Sequence, residues 1–355
     1  MPALRQVLVT GGAGYVGAVL VPHLLAHGHR VRVLDLYLFG RDTLAALRGH
    51  PHLEEVAADL RDTASVRAAL AGCDAAVHLG CISGDVSVAL YPELGRSINY
   101  DAFPALVRLS REAGVRRFVF MSTTSVYGAG AIAEVTEDQP PAPITDYGRY
   151  KALCEPMLLA ARTPAFTPVI VRSASVCGHS PRQRLDLAVN GLTTQAVQAG
   201  RIRLRGGSRR RPSIHIDDLA DLSQLLLRLP DEKVAERIYN AGCQDHSLDE
   251  LAEIVRTVVA REMPAHGEVV VEREPADDRA SYCISSERLR RELGFVPRRG
   301  VEDAVLDLVR AFRAGLLPDA LADPRYYNVR TLQSRDLRHQ QPAAHEAPTV
   351  DVPPA

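Results

Sequence analysis

The sequence predicts an α/β protein built on a doubly wound parallel sheet, with a smaller C-terminal α/β region. Three observations carry the prediction. Short apolar runs alternate with helical patterns through residues 1–180, a glycine cluster separates the first run from the first helical stretch, and an acid closes the second run. Val7-Leu8-Val9 is the first strand, followed by an amphipathic stretch from Tyr15 to Ala26. Val31 to Leu34 forms the second strand and ends at Asp35; Leu53 to Ala58 forms the third and ends near Asp59. Ala75 to Leu79, Phe118 to Met121 and Val169 to Val171 supply the fourth, fifth and sixth. Strands so spaced need crossover helices, and right-handed crossovers wind a parallel sheet on both faces.

After residue 180 the pattern loosens. Leu185–Ala199, Asp217–Leu229, Ser247–Arg261, Glu287–Leu293 and Val301–Ala314 carry helical periodicity, Ile202–Leu204 and Val269–Val271 read as short strands, and Arg205–Pro212 reads as a basic loop. We divide the chain into a nucleotide-binding domain at residues 1–180, to which 213–262 return, and a mainly substrate-binding region at 181–334. The Pro-, Ala- and Gln-rich tail at 335–355 buries too little apolar surface to fold alone and is expected to be disordered.

Composition excludes several classes. With 42 basic and 43 acidic residues the formal charge is −1, which argues against nucleic acid as a partner. No apolar run reaches the ~18 residues of a membrane span, and no secretory signal opens the chain, so a cytoplasmic protein is expected. The six cysteines (Cys73, Cys81, Cys154, Cys177, Cys243, Cys283) are widely spaced. They read as buried thiols, with no metal site. Lys151 and Lys233 are the only lysines.

Thr10-Gly11-Gly12-Ala13-Gly14-Tyr15-Val16-Gly17 lies between a strand and a helix. Glycine is needed where backbone N–H groups must approach a pyrophosphate, and the helix N-terminus behind adds donors and a favourable dipole. Asp35 follows Gly17 by 18 residues, where a carboxylate binds the ribose 2′-OH of NAD and repels the 2′-phosphate of NADP. NAD is favoured; Arg41, six residues on, keeps NADP open. Tyr147 and Lys151 share one face of a helix at i, i+4. A cation beside a phenol lowers its pKa toward neutrality, and a lysine here, in a chain that otherwise uses arginine, has the look of a requirement.

The glycine loop, Asp35, Asp59-Leu60, His78-Leu79-Gly80, Asn99, Ser122 to Gly128 and Tyr147…Lys151 together resemble the extended short-chain dehydrogenase/reductases. Arg211 to Asp218, Asp278-Arg279, Leu289 to Pro297 and the helix near Val305 continue the match, which spans residues 5 to 330 and points to the NAD-dependent epimerase/dehydratase group acting on nucleotide sugars. The resemblance implies a Rossmann-type domain in which Tyr147 is the general base and acid, Lys151 holds the nicotinamide ribose, and Thr123 bonds the reacting oxygen. Ser122 and Thr124 are alternatives to Thr123. Gly11, Gly14, Tyr15, Val16 and Gly17 would take the cofactor's diphosphate, Asp59 and Leu60 would border the adenine, and Leu79, Gly80 and Ser122 would line its path. Asn99 is either near the cofactor or structural. Arg211 and Arg279 match the family's substrate-diphosphate positions, with Asn190 near them and Arg182, Arg184, Arg209 and Arg210 as looser candidates. Where the family shows N-x-Y-G, this chain has Ser175 and Cys177.

The resemblance also implies a homodimer through the helix before Tyr147 and the Asn99–Ala113 helix. The expected activity is epimerisation of a nucleotide sugar through a transient keto-sugar, an isomerase reaction. An NAD(P)H-dependent keto-sugar reductase is the alternative, a 4,6-dehydratase a third. The family's dehydratases carry Thr-Asp-Glu where this chain has Thr123-Thr124-Ser125. Hydroxyls cannot replace a carboxyl that must exchange a proton near neutrality. Elimination would therefore need an acid from elsewhere, Glu134 or Glu137 first. A non-catalytic dinucleotide sensor is the remaining class, and it would not need Tyr147 and Lys151.

Overall fold

The computed structural model describes residues 6–128, 134–208, 210–274 and 283–335. Seven parallel strands form the main sheet: β1 Gln6–Thr10, β2 Arg30–Asp35, β3 Leu53–Ala57, β4 Ala75–His78, β5 Arg117–Thr123, β6 Thr167–Ser173 and β7 Arg237–Ala241. Their order is β7-β6-β5-β4-β1-β2-β3. The chain reverses direction across the sheet between β1 and β4, and in such sheets the crevice at that switch point is where ligands bind.

Both faces of the sheet are buried, so its strands read as near-continuous apolar runs. Alternate residues supply two cores. Val7, Val9, Val31, Val33, Val77, Val119, Val169 and Val171 pack on one side with helices Gly17–Ala26 and Ile216–Arg228. Leu8, Leu34, Ala76, Phe118, Phe120 and Ile170 pack on the other with helices Thr63–Leu70, Phe103–Glu112 and Asp146–Ala160. A third core joins helices Ala188–Ala199, Leu248–Glu262 and Val301–Arg313 beside the main sheet. A three-stranded sheet, Gln244–Ser247, Arg210–His215 and Ser175–Cys177 in that order, links this region to the crevice.

Several expectations are corrected. β7 is a strand the apolar pattern does not announce, because it is short and carries Asn240, a fully buried polar residue. Arg210–Pro212 is strand, not loop: it pairs with Asp245–Ser247. The helix expected from Leu185 begins at Ala188, since Leu187 is extended. No helix precedes Tyr147 over residues 134–145; Tyr147 lies in the first turn of Asp146–Ala160. A π-turn, Ser97–Asp101, replaces the start of the expected Asn99–Ala113 helix. Of the cysteines, Cys243 is exposed and Cys81 and Cys283 partly so; all six are free thiols. The tail at 336–355, along with Arg209 and Arg279, lies outside the described residues.

Candidate active site

The crevice holds a cavity of about 560 Å³ lined by residues from β2, β5 and β6 and by the loops after β1, β2, β3, β4, β5 and β6. Its floor is glycine because two loops touch there. A Cβ on Gly11 would lie 2.7 Å from the Gly80 Cα and N, and one on Gly17 would lie 2.4 Å from the Gly11 carbonyl oxygen. Thr10 sets this contact: its Oγ1 accepts from Gly80 N (3.3 Å) and meets His78 Nδ1 at 2.7 Å. Burial first, then Lys151, pushes His78 down to about 3, so it is a neutral core residue. The Gly17–Ala26 helix has no side-chain cap and no acid in its first turn, which leaves its positive end to a ligand.

Gly11, Gly14, Tyr15, Val16, Gly17, Asp35, Asp59, Leu60, Leu79, Gly80 and Ser122 all line the cavity. Asp35 ends β2 with its carboxylate accepting from Ala13 N (3.0 Å) and Tyr37 N (2.7 Å), which couples it to the glycine loop. Burial raises its pKa, and those two bonds and Arg182 oppose the rise. Asp59 is held by Arg61, whose Nη2 donates to Oδ2 at 2.7 Å. A groove of backbone donors closed by a ribose-side carboxylate fits a dinucleotide. Asn99 does not line this cavity: its amide accepts from Ile82 N (2.8 Å) and donates to Ile82 O (2.9 Å), pinning the loop after β4.

The second half of the cavity brings together Thr123, Thr124, Ser125, Tyr147 and Lys151. Gly148 makes this possible, since a Cβ there would sit 2.7 Å from the Ser125 carbonyl oxygen, so the helix can press against the Thr124–Tyr127 turn. Thr145 caps that helix, its Oγ1 accepting from Gly148 N (3.2 Å) while donating to Asp85 Oδ1 (2.6 Å). Thr123 Oγ1 accepts from Ser125 N (3.1 Å) and keeps its proton to donate. The Ser122 hydroxyl turns away and donates to Glu155 Oε1 (2.6 Å).

Lys151 donates to the Met121 carbonyl (2.8 Å) and lies over the Phe120 ring. Burial pushes the Tyr147 phenol above its ordinary range; Cys81 and Asp85 add to the rise, while a bond to Ser83 and the charge of Arg184 oppose it. Burial is the first cause of that rise, and the polar groups around Ser83 modulate it.

Sequence reasoning missed Ser83, Asp85 and Asn328, all of which line the cavity. It ranked Arg182 and Arg184 below Arg211, yet all three line it too. Asn190 is buried away from the cavity, with its Oδ1 accepting from Gly178 N (3.1 Å) and its Nδ2 donating to Tyr15 Oη (3.0 Å) and Arg184 O (2.8 Å). Neither Glu134 nor Glu137 lines it; Glu137 is buried, accepts from Asn240 N and faces Arg288. Among the described residues one group has metal-ligand character, His215, Asp217 and Asp307, away from the cavity, where His215 Nε2 lies 3.3 Å from Asp307 Oδ2.

A doubly wound sheet with a glycine-loop dinucleotide groove beside a Tyr–Lys helix defines a nucleotide-dependent enzyme class. The model of the NAD dependent epimerase/dehydratase family matches residues 7–242, and the chain belongs to that family, which uses NAD. It is 29% identical over 320 residues to a UDP-glucose 4-epimerase of Corynebacterium glutamicum, covering 84% of this chain and 94% of that one. It is 31% identical over 309 residues to a dTDP-glucose 4,6-dehydratase of Streptomyces griseus, covering 84% and 92%. Among solved structures, DesIV, a dTDP-glucose 4,6-dehydratase from Streptomyces venezuelae with NAD bound, superposes with a TM-score of 0.78 at 26% identity, covering 90% of this chain and 100% of that chain. MoeE5 in complex with UDP-glucose and NAD gives 0.74 at 25%, covering 88% and 99%. No helix of the described residues is long and apolar enough to cross a membrane.

Proposed function

We propose that this chain is an NAD-dependent nucleotide-sugar epimerase. The observation that carries the reading is the row Thr123-Thr124-Ser125 facing the cavity beside Tyr147, where elimination of water would need a carboxylic acid paired with a base. Bound NAD supplies the acceptor for a hydride and, once reduced, the donor that returns it. Tyr147 takes the proton of the sugar hydroxyl as the ring carbon is oxidised and gives it back from the same phenol after the keto-sugar has turned over in the pocket. The Thr123 hydroxyl donates to the reacting oxygen and stabilises its charge. Lys151 orients the ribose and supplies positive charge near the phenolate. Arg211 and Arg184 hold the substrate's diphosphate through their planar forks, and the family resemblance alone assigns Arg279 to the same role. The UDP-glucose named for MoeE5 and the epimerase relative favour a nucleoside-diphosphate hexose. A homodimer through the Phe103–Glu112 and Asp146–Ala160 helices belongs to the same reading.

The test is direct. Purified protein is incubated with UDP-, dTDP- and GDP-hexoses, and products are identified by mass and NMR. An isomer of unchanged mass, formed without added NADH, is the expected result. A product lighter by one water would overturn the reading and make Asp85, the acid that lines the cavity beside Tyr147, the first residue to examine. Turnover only with stoichiometric NADPH would favour the reductase.

A further inference from the structure

Arg182 is a buried cation with no ion-pair partner among the described residues. It is 3% exposed, its guanidinium carbon lies 3.7 Å from the centre of the Phe39 ring, and its Nη2 donates to Asn328 Oδ1. Its Nε and Nη1 are buried with no hydrogen-bond partner among the described residues. The nearby carboxylates do not neutralise it: Asp186 is taken by Arg184 (3.0 and 3.2 Å), and Asp35 by the amides of Ala13 and Tyr37. Burial, then the repulsion of Arg184, pulls its pKa down to about 9. Taking a charge out of water unpaired is costly, and a stack on an aromatic ring offsets only part of that cost.

Two bonds fix where this charge sits. Ser180 Oγ donates to the Tyr15 carbonyl (2.7 Å), and Tyr15 Oη donates to the Gly178 carbonyl (2.7 Å). The loop carrying Arg182 is therefore bolted to the glycine loop, on the cofactor half of the cavity, and Arg182, Phe39 and Asn328 all line that cavity. A guanidinium fork matches a phosphate, and the carboxylate of Asp35 next to it disfavours a 2′-phosphate.

We propose that Arg182 binds the diphosphate of the dinucleotide together with the glycine loop, and that Asn328 holds it in position. Asn328 begins the C-terminal helix Asn328–Ser334; its backbone N–H donates to Asp186 (3.2 Å), and Leu332 in the same helix packs with Ile82, Val88 and Ile98. The C-terminal segment is thereby part of the cofactor site although it lies beyond residue 242, where the family match ends.

Arg182→Met keeps the aliphatic stem against Phe39 and removes the charge. Wild-type, Arg182→Met, Arg182→Lys and Asn328→Ala proteins are stripped of cofactor and titrated calorimetrically with NAD, NADP, ADP, adenosine and UDP, and the stripped proteins are melted. Arg182→Met is expected to weaken NAD and ADP about tenfold or more while leaving adenosine within about twofold, as loss of a charge-assisted phosphate contact would. Arg182→Lys recovers part of the ADP affinity, and Asn328→Ala loses less than Arg182→Met does. The stripped Arg182→Met protein melts no lower than wild type, since it sheds an uncompensated charge. Unchanged ADP affinity, or an equal loss for adenosine, overturns the proposal. A loss confined to UDP would assign Arg182 to the substrate, and one confined to NADP would assign it to the 2′-phosphate; either also overturns it.

Discussion

Arg172 and Glu155 form a closed ion pair behind the site, with Nη2 to Oε2 at 2.6 Å and both side chains 3% exposed. Glu155 lies on the helix that carries Tyr147 and Lys151, and Arg172 lies on β6, so the pair locks that helix to the sheet. Its remaining valences are filled: Glu155 accepts from Ser122, and Arg172 donates to Tyr127 Oη (2.8 Å), which donates to Asn240 (2.7 Å). Removing one partner strands a buried charge. Glu155→Ala should therefore cost about 3–5 kcal/mol of stability. The Glu155→Met/Arg172→Met double variant should cost much less, and denaturant melts of the three proteins decide the matter. A double variant as unstable as the single one would mean that the network, not the stranded charge, sets the cost.

Tyr147→Phe should fold, bind NAD normally and lose at least about a hundredfold in turnover, the usual contribution of one acid–base group. Ser122→Ala should lose little activity, because the Ser122 hydroxyl is engaged with Glu155 rather than turned to the cavity. Comparable losses in both variants would place the chemistry outside Tyr147.

The phenol's environment makes a prediction with opposite signs. Asp85 raises the Tyr147 pKa and Arg184 lowers it. A negative neighbour disfavours the phenolate, so Asp85→Asn should shift the rising, alkaline-going limb of the kcat profile to lower pH, and Arg184→Met should shift it to higher pH. Difference absorbance of the tyrosinate, followed in both variants against Tyr147→Phe, checks the assignment. Shifts in the same direction would show that something other than Tyr147 ionisation sets the limb.

What was legible in the sequence was local. The glycine loop, Asp35 and the Tyr147–Lys151 pair, all of which line the cavity, declare themselves because each motif is written into one short stretch whose spacing follows from a strand–helix turn or a helix face. The rest depends on contacts between distant segments. Arg182 meets Asn328 across 146 positions, and Tyr15 meets Asn190 across 175, and neither pair leaves a local pattern. β7 escaped notice for a related reason. Its Asn240 is buried because Glu137, Tyr127 and Val135 satisfy it from elsewhere in the chain, so the apolar period that announces the other strands is broken there. The same wiring between segments makes Asn190 a brace for a loop where the resemblance had pointed to the substrate, and gives Asn99 the structural one of its two readings.

Asp35 holds the glycine loop, and in the proposed reading it also reads the ribose; one substitution can separate the two. Its carboxylate shapes the glycine loop through Ala13 N and Tyr37 N, and it stands where the ribose hydroxyls of NAD would lie. Asp35→Ala would remove both roles and confound them. Asp35→Asn keeps one acceptor oxygen and discards the charge, so most of the loop geometry should survive while the repulsion of a 2′-phosphate is lost. The preference for NAD over NADP should fall by about tenfold, the equivalent of one charge-assisted contact of ~1.4 kcal/mol. Titrating the stripped protein with both dinucleotides measures the ratio, and ADP serves as the control for loop damage, since it carries the diphosphate without a 2′-phosphate. An unchanged ratio with intact ADP binding would mean that Asp35 serves the loop alone and does not read the ribose.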